Sequence, residues 1–252
     1  LAPLGGNNEF DTLQDLLEMK SAISNIRNRR GLDEDFGGRK LAPQSGTVRV
    51  LVVLTYFTDH VDRSRPEPSE YEDLFVGIAK WFYLNSHGKF EMEPVIAGWY
   101  PSDNSEKHYA FGAGGYNDAV QQAFWPALDS INQQAGWDWG QFDSNGDNKI
   151  DSVIFLHSGY GAEMGDIACI NNSWKDRIWS RAINPGISDD TVWSDSGFYT
   201  LGSFLFASAF GDECTTERAG IGIIAHEYVH LFDAGIPDLY EVAPAVGFGV
   251  GS

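Results

Sequence analysis

The stretch Ile221 to Glu241, IGIIAHEYVHLFDAGIPDLYE, constrains this chain most. Inside it His226, Glu227 and His230 are spaced H-E-x-x-H. On a helix, residues i and i+4 lie one turn apart on one face, so both imidazoles can reach a single ion. Zinc suits such a site, since it accepts nitrogen ligands in a tetrahedral set. Glu227 is rotated off that face, where it can take a proton from a metal-held water as general base. The plainer alternative is a buried helix whose histidines satisfy backbone carbonyls. The apolar run Ile221, Ile223, Ile224 and Ala225 would sink this helix into a core. Two imidazoles and a carboxylate on the buried continuation would then be costly without a metal or partners, which favours zinc.

Two histidines and a water leave a tetrahedral ion one ligand short. Downstream come Gly235, a left-handed helix stop, then Pro237 and Asp238. H-E-x-x-H followed by a glycine turn and P-D-L-Y-E resembles the M6 family of secreted metallopeptidases, the immune inhibitor A group. The resemblance implies that Asp238 completes the zinc site with His226 and His230. The turn departs from the family pattern by being two residues longer. Asp233 stands where the family has its glycine, and Gly235 and Asp238 come five and eight residues after His230. The extra length goes into about half a turn of helix or into a bulged loop. Asp233 and Glu241 stay open as alternative third ligands.

Of 252 residues, 17 are basic and 36 acidic, a net charge of −19. Such a surface repels nucleic acid and anionic membranes, which excludes both as main partners. No apolar run approaches the ~20 residues of a membrane span. At 42% hydrophobic the chain can bury one large core. It begins at Leu1 without a signal-peptide pattern, so any such peptide is expected to have been removed or left out. Only Cys169 and Cys214 are present, with no metal-ligand spacing. In a secreted protein, which the resemblance implies, they are expected to pair and tether the segment before the zinc helix.

Residues 1 to 47 differ from the rest. Leu13, Leu16, Leu17, Ile23 and Ile26 recur at helical spacing, so Asp11 to Arg29 reads as an amphipathic helix followed by a linker, either a peripheral extension or a propeptide remnant. Residues 48 to 252 are expected to form the catalytic domain that the resemblance implies. Val48 to Thr55 is a nearly continuous apolar run, a central strand buried on both faces. Ser69 and Glu72 form a capping box that opens a helix through Phe82. Phe90 to Tyr100 is extended, and Tyr116 to Gln134 is a helix split at Pro126. Trp125, Trp137 and Trp139 read as packing aromatics. Thr200 to Phe210 is expected as an edge strand along the substrate cleft, with Thr215 or Thr216 capping the zinc helix.

A second chemical signal is the run Asp143 to Asp151, with oxygen-bearing side chains at Asp143, Asn145, Asp147 and Asp151 and Lys149 between the last two. This alternation suits a hard cation, and the apolar Ile150 anchors the loop, so calcium is the expected ligand. Its twelfth position is Ile154 rather than Glu, and the plainer reading is a solvated Asx-rich turn. After the strand Ile150 to Leu156 comes His157-Ser158-Gly159-Tyr160-Gly161-Ala162-Glu163, similar to an H-x-G-x-G-x-E stretch of the M6 family that is followed, as at Ile178-Trp179-Ser180, by I-W-S. His157 reads as structural or as lying near the active cleft, not as a metal ligand. Met19, Met92 and Met164 all precede the zinc helix, so no Met-turn follows the metal ligands, and the catalytic domain is expected to continue past Ser252.

The expected fold is zincin-like α/β, a twisted mixed sheet with backing helices and the H-E-x-x-H helix. The expected function is a secreted zinc endopeptidase acting on protein or peptide substrates, with Glu227 as base. Two rivals stand beside it: a secreted calcium-dependent binding or surface module with a decayed peptidase site, and a zinc hydrolase of non-peptide substrates.

Overall fold

The computed structural model describes residues 45–116, 118–165, 167, 173–183, 192–193, 199–211 and 214–232. The expected helix at Asp11 to Arg29, Cys169, and the three candidate ligands Asp233, Asp238 and Glu241 lie outside the described residues.

Strand β1 (Gly46–Tyr56) is the centre of the molecule. Its run Val50 to Leu54 is fully buried, which is why it reads as continuous rather than alternating apolar sequence. Val50, Val52 and Leu54 point into one core and Leu51 and Val53 into the other. Helix α1 (Pro68–Asn85) crosses from β1 to the parallel strand β2 (Phe90–Pro101), whose Phe90 to Ile96 pair with Gly46 to Val52. The capping box lies at Glu67 and Glu70, not at Ser69 and Glu72. The cause is Pro68. It pre-sets helical φ at the first position and holds Glu67 extended, at ψ 147°, so the helix starts earlier.

Strand β3 (Lys149–His157) lies parallel to β1 on its other side, and β6 (Tyr199–Ser208) lies parallel to β3. Two short strands, β4 (Arg181–Ile183) and β5 (Val192–Trp193), run antiparallel to β6 along successive parts of it. The order is therefore β2-β1-β3-β6-β4, with β5 also on β6. This corrects the expectation for Thr200 to Phe210: β6 is interior, and β4 is the outer strand at that end among the described residues. Phe204 to Phe206 of β6 pair with β3 on one side and β4 on the other, and their side chains are buried in the two cores.

Each sheet face carries a helical layer. On the first face α1 and α4 (Ile221–Val229) pack through Tyr71, Phe75, Ile78, Phe82, Ile224 and Tyr228. On the second, α2 (Glu106–Ala110), a 3-10 turn at Asp118–Ala123, α3 (Trp125–Asn132) and a 3-10 turn at Trp139–Phe142 cover Val153, Phe155, Phe204 and Phe206. The expected split at Pro126 is present, with Pro126 in the first turn of α3. Trp139 is buried, and Trp125 and Trp137 pack on the same core.

Phe124 stacks at 4.8 Å on Phe155 and 5.1 Å on Phe206, which joins the second layer to the sheet centre. Phe155→Ala should lower stability by about 3–5 kcal/mol, measured by urea unfolding. A loss below about 1 kcal/mol would show that this stack does not carry the layer.

Candidate metal centre

Helix α4 is held by its inner face. Ile224, Ala225, Tyr228 and Leu231 are buried against the first core. The Tyr228 ring packs 5.1 Å from Phe82 and 6.2 Å from Phe90, and its hydroxyl lies 3.1 Å from Ser152 Oγ on β3. Residues 226 and 230 are therefore turned the other way. His226 is about half exposed rather than on a buried continuation of the helix. Glu227 is the buried member, 6% exposed, with Oε1 3.9 Å from His226 Nε2. No side chain caps the helix: its N-cap is Gly220, not Thr215 or Thr216. The preceding segment is still paired to the end of β6, through Gly211 N to Glu217 O and Ala219 N to Ala209 O, and cannot turn earlier.

The two imidazoles converge. Their Nε2 atoms are 3.4 Å apart, with ring centroids at 4.9 Å and planes at 86°. Two nitrogens each ~2.0–2.1 Å from one tetrahedral ion would be about 3.3 Å apart, so this donor pair fits zinc. The α-helix stops at Val229, with His230 as C-cap, and Leu231 and Phe232 continue in i→i−3 bonds to Tyr228 and Val229. Among the described residues no three His, Cys, Asp or Glu side chains form a metal-binding group.

The loop before β3 is a compact Asx turn. Asp143 Oδ1 accepts from Gly146 N at 2.8 Å and Asp147 N at 3.1 Å, and its Oδ2 accepts from Asn148 N at 2.9 Å. Asn145 accepts from Asp147 N, Asp147 from Lys149 N, and Asp151 from Ser144 N. Asn148 is left-handed, at φ 63°, in the sixth position counted from Asp143. Calcium loops of this spacing place a glycine there for the same sharp turn, and Asn tolerates that conformation. Ile150 is fully buried and anchors the loop, while Ile154, the twelfth position, is a buried strand residue.

Spacing gave no sign of a second polar cluster, at the carboxyl ends of β1 and β3. His60 Nδ1 lies 3.0 Å from Ser158 Oγ, and its Nε2 lies 3.6 Å from Glu106 Oε2. Glu106 N donates to Asp59 Oδ1 at 3.0 Å, and Glu106 Oε1 accepts from Ile178 N at 3.2 Å. Arg63 donates to Ser158 O, and Arg177 Nη1 donates to Gly161 O at 2.9 Å. Ser180 donates through N and Oγ to Glu163, at 3.1 and 2.6 Å. The two glycines after His157 make room for these carboxylates: a Cβ on Gly159 would land in the Glu106 carboxylate, and one on Gly161 in that of Glu163. His157 is fully buried, with Nδ1 accepting from Gly159 N at 3.2 Å. The cluster fixes the segment leading into β4, whose Ala182 packs on the core shared with α4.

Burial pushes the Glu106 carboxyl up to about 8, against the Ile178 N–H bond. Burial also lowers His60 to about 4, helped by Arg63, and lowers His157 to about 3, helped by His60. All three groups are thus kept neutral through the mildly acid range.

The family model for the immune inhibitor A peptidase M6 catalytic domain matches residues 55–248, a span that takes in this cluster and α4. No curated protein matches the chain. Within that span, Glu106 generates a pH dependence. Its folded pKa lies above its unfolded value, so native protein holds a proton that the unfolded chain has lost, and stability falls as pH rises towards 8. The histidines act oppositely, but only below about pH 6.5, where the unfolded imidazoles charge. The urea midpoint should therefore decline from about pH 6.5 to 8, and Glu106→Gln should remove that decline. The same slope in both proteins would contradict the assignment.

Proposed function

We propose that this chain, which belongs to the immune inhibitor A peptidase M6 family, is a secreted zinc-dependent endopeptidase of protein substrates. His226, His230 and Asp238 are its metal ligands and Glu227 its general base. Family membership makes it a peptidase. The finer reading is carried by one observation: two imidazole nitrogens 3.4 Å apart on the outer side of α4, with a buried carboxylate beside them.

Zinc, when bound, supplies Lewis acidity to a water and to the scissile carbonyl. The Glu227 carboxylate takes the proton from the attacking water and passes it to the departing amine nitrogen. Its shielded position limits the orientations open to it, so the proton is collected and delivered at one place. The substrate backbone lies along the outer edge of β4, beside α4, as an added antiparallel strand. The end of the α-helix at Val229 supports a third ligand returned by the following turn, Asp238, over Asp233 carried on the helix. A decayed binding module finds less support, because His226, Glu227 and His230 keep a ligand-and-base arrangement.

The loop Asp143 to Asp151 is read as a structural calcium site, with Asp143, Asn145, Asp147 and Asp151 as side-chain ligands and Lys149 through its carbonyl. The left-handed turn at Asn148 supports this. Calcium at millimolar concentration should raise the melting temperature, and Asp147→Ala should remove that increment. An equal increment in both would count against the site. A Cys169–Cys214 disulfide fits the same extracellular reading, since no free cysteine occurs among the described residues.

Glu227→Gln should keep about one zinc per chain while kcat falls at least ~100-fold on a peptide substrate. Proteolysis retained in that variant would refute the role of Glu227.

A further inference from the structure

We infer that Trp179 and Tyr116 form the wall of a specificity subsite for an aromatic or large aliphatic substrate side chain, on the sheet face opposite the zinc helix. The inference rests on the peptidase reading above. Strand β4 alternates: Ala182 packs with the α4 core, whereas Ile183 joins the second core and the Arg181 guanidinium lies over the rings of Tyr116, at 5.2 Å, and Phe206, at 5.4 Å. A peptide added along β4 alternates in the same way. Every second side chain faces α4, and those between face the side on which Arg181 and Tyr116 lie. Trp179 stands two residues before β4, about 7 Å along an extended chain from Arg181.

That side carries a fixed aromatic surface. The Trp179 ring is 6.0 Å from Tyr116 and 6.4 Å, perpendicular, from Trp174. Tyr116 is 58% exposed, and Phe111, at the other end of the same loop, is 75% exposed. The loop is built to hold them there. Gly112, Gly114 and Gly115 are left-handed, and a Cβ on Gly114 would sit 3.2 Å from the Trp174 ring in a conformation that already disfavours side chains. Trp179 N donates to Gly114 O at 2.9 Å, Gly114 N to Lys175 O at 3.2 Å, and Arg181 Nη2 to Gly115 O at 2.8 Å. Rings locked in this way offer apolar area with little ordering cost on binding. The charge around them decides between hydrophobic and basic side chains. Lys175 Nζ lies 5.8 Å from the Trp174 ring centre and Arg181 already covers Tyr116, so a substrate Lys or Arg would meet two cations, while an aromatic or aliphatic side chain would not.

The test is cleavage of a peptide library randomised on both sides of the scissile bond, by the full chain loaded with zinc, for wild type, Trp179→Ala, Trp179→Phe and Tyr116→Ala. Wild type should prefer Phe, Tyr, Trp or Leu over Ala at one position by about tenfold or more in kcat/KM. Trp179→Ala and Tyr116→Ala should cut that ratio at least fivefold through KM, with the Ala peptide cleaved within about twofold of wild type, and Trp179→Phe should restore most of it. Trp81→Ala, an exposed aromatic on α1, should leave the profile unchanged. A profile unaltered in Trp179→Ala, or a uniform fall for every peptide, would overturn the subsite and leave the peptidase reading standing. Failure of zinc-loaded wild type to cleave any peptide would bring down the peptidase reading and the subsite with it.

Discussion

The packing of Ile224, Ala225, Tyr228 and Leu231 onto the sheet is the constraint on which the rest depends. With that face buried, helical geometry leaves no choice about the others. His226 and His230 must point outward together, and Glu227, one residue round, must sit at the boundary of the core. The Tyr228 hydroxyl at Ser152 fixes the rotation of the helix against β3, so the direction of the two imidazoles is set from beneath. Two imidazoles brought together in this way would lower the ordering that a bound metal has to impose.

Strand β4, beside α4, is held by different means. Strand β4 has three residues and little apolar surface, so strand propensity alone cannot hold it. Its approach is instead tied by hydrogen bonds to two carboxyl groups, those of Glu106 and Glu163, threaded past the Cα atoms of Gly159 and Gly161. Burying a carboxylate is costly, and Glu106 reduces that cost by keeping its proton. The glycine-containing stretch after His157 is therefore part of what fastens the approach to β4.

How much of this could be read beforehand follows from which signals are local. The continuous apolar runs of β1 and β3, the break at Pro126 and the i, i+4 histidines are properties of neighbouring residues, and the structure reproduces them. The interior place of β6 is not local. It depends on Arg181 to Ile183 and Val192–Trp193 pairing with it, and strands of three and two residues carry no period to detect. The helix start at Pro68 was misplaced because Ser69-x-x-Glu72 competes with a proline that acts through backbone geometry. His60 and Glu106, 46 residues apart, meet only through the topology, which no local spacing reveals.

X-ray absorption at the zinc edge, on protein purified without chelator, reads the proposed donor set directly. About one zinc per chain should be found, four-coordinate, with nitrogen and oxygen neighbours at ~2.0–2.1 Å and the multiple-scattering signature of two imidazoles. A six-coordinate hydrated ion, a sulfur ligand, or no bound zinc would contradict it.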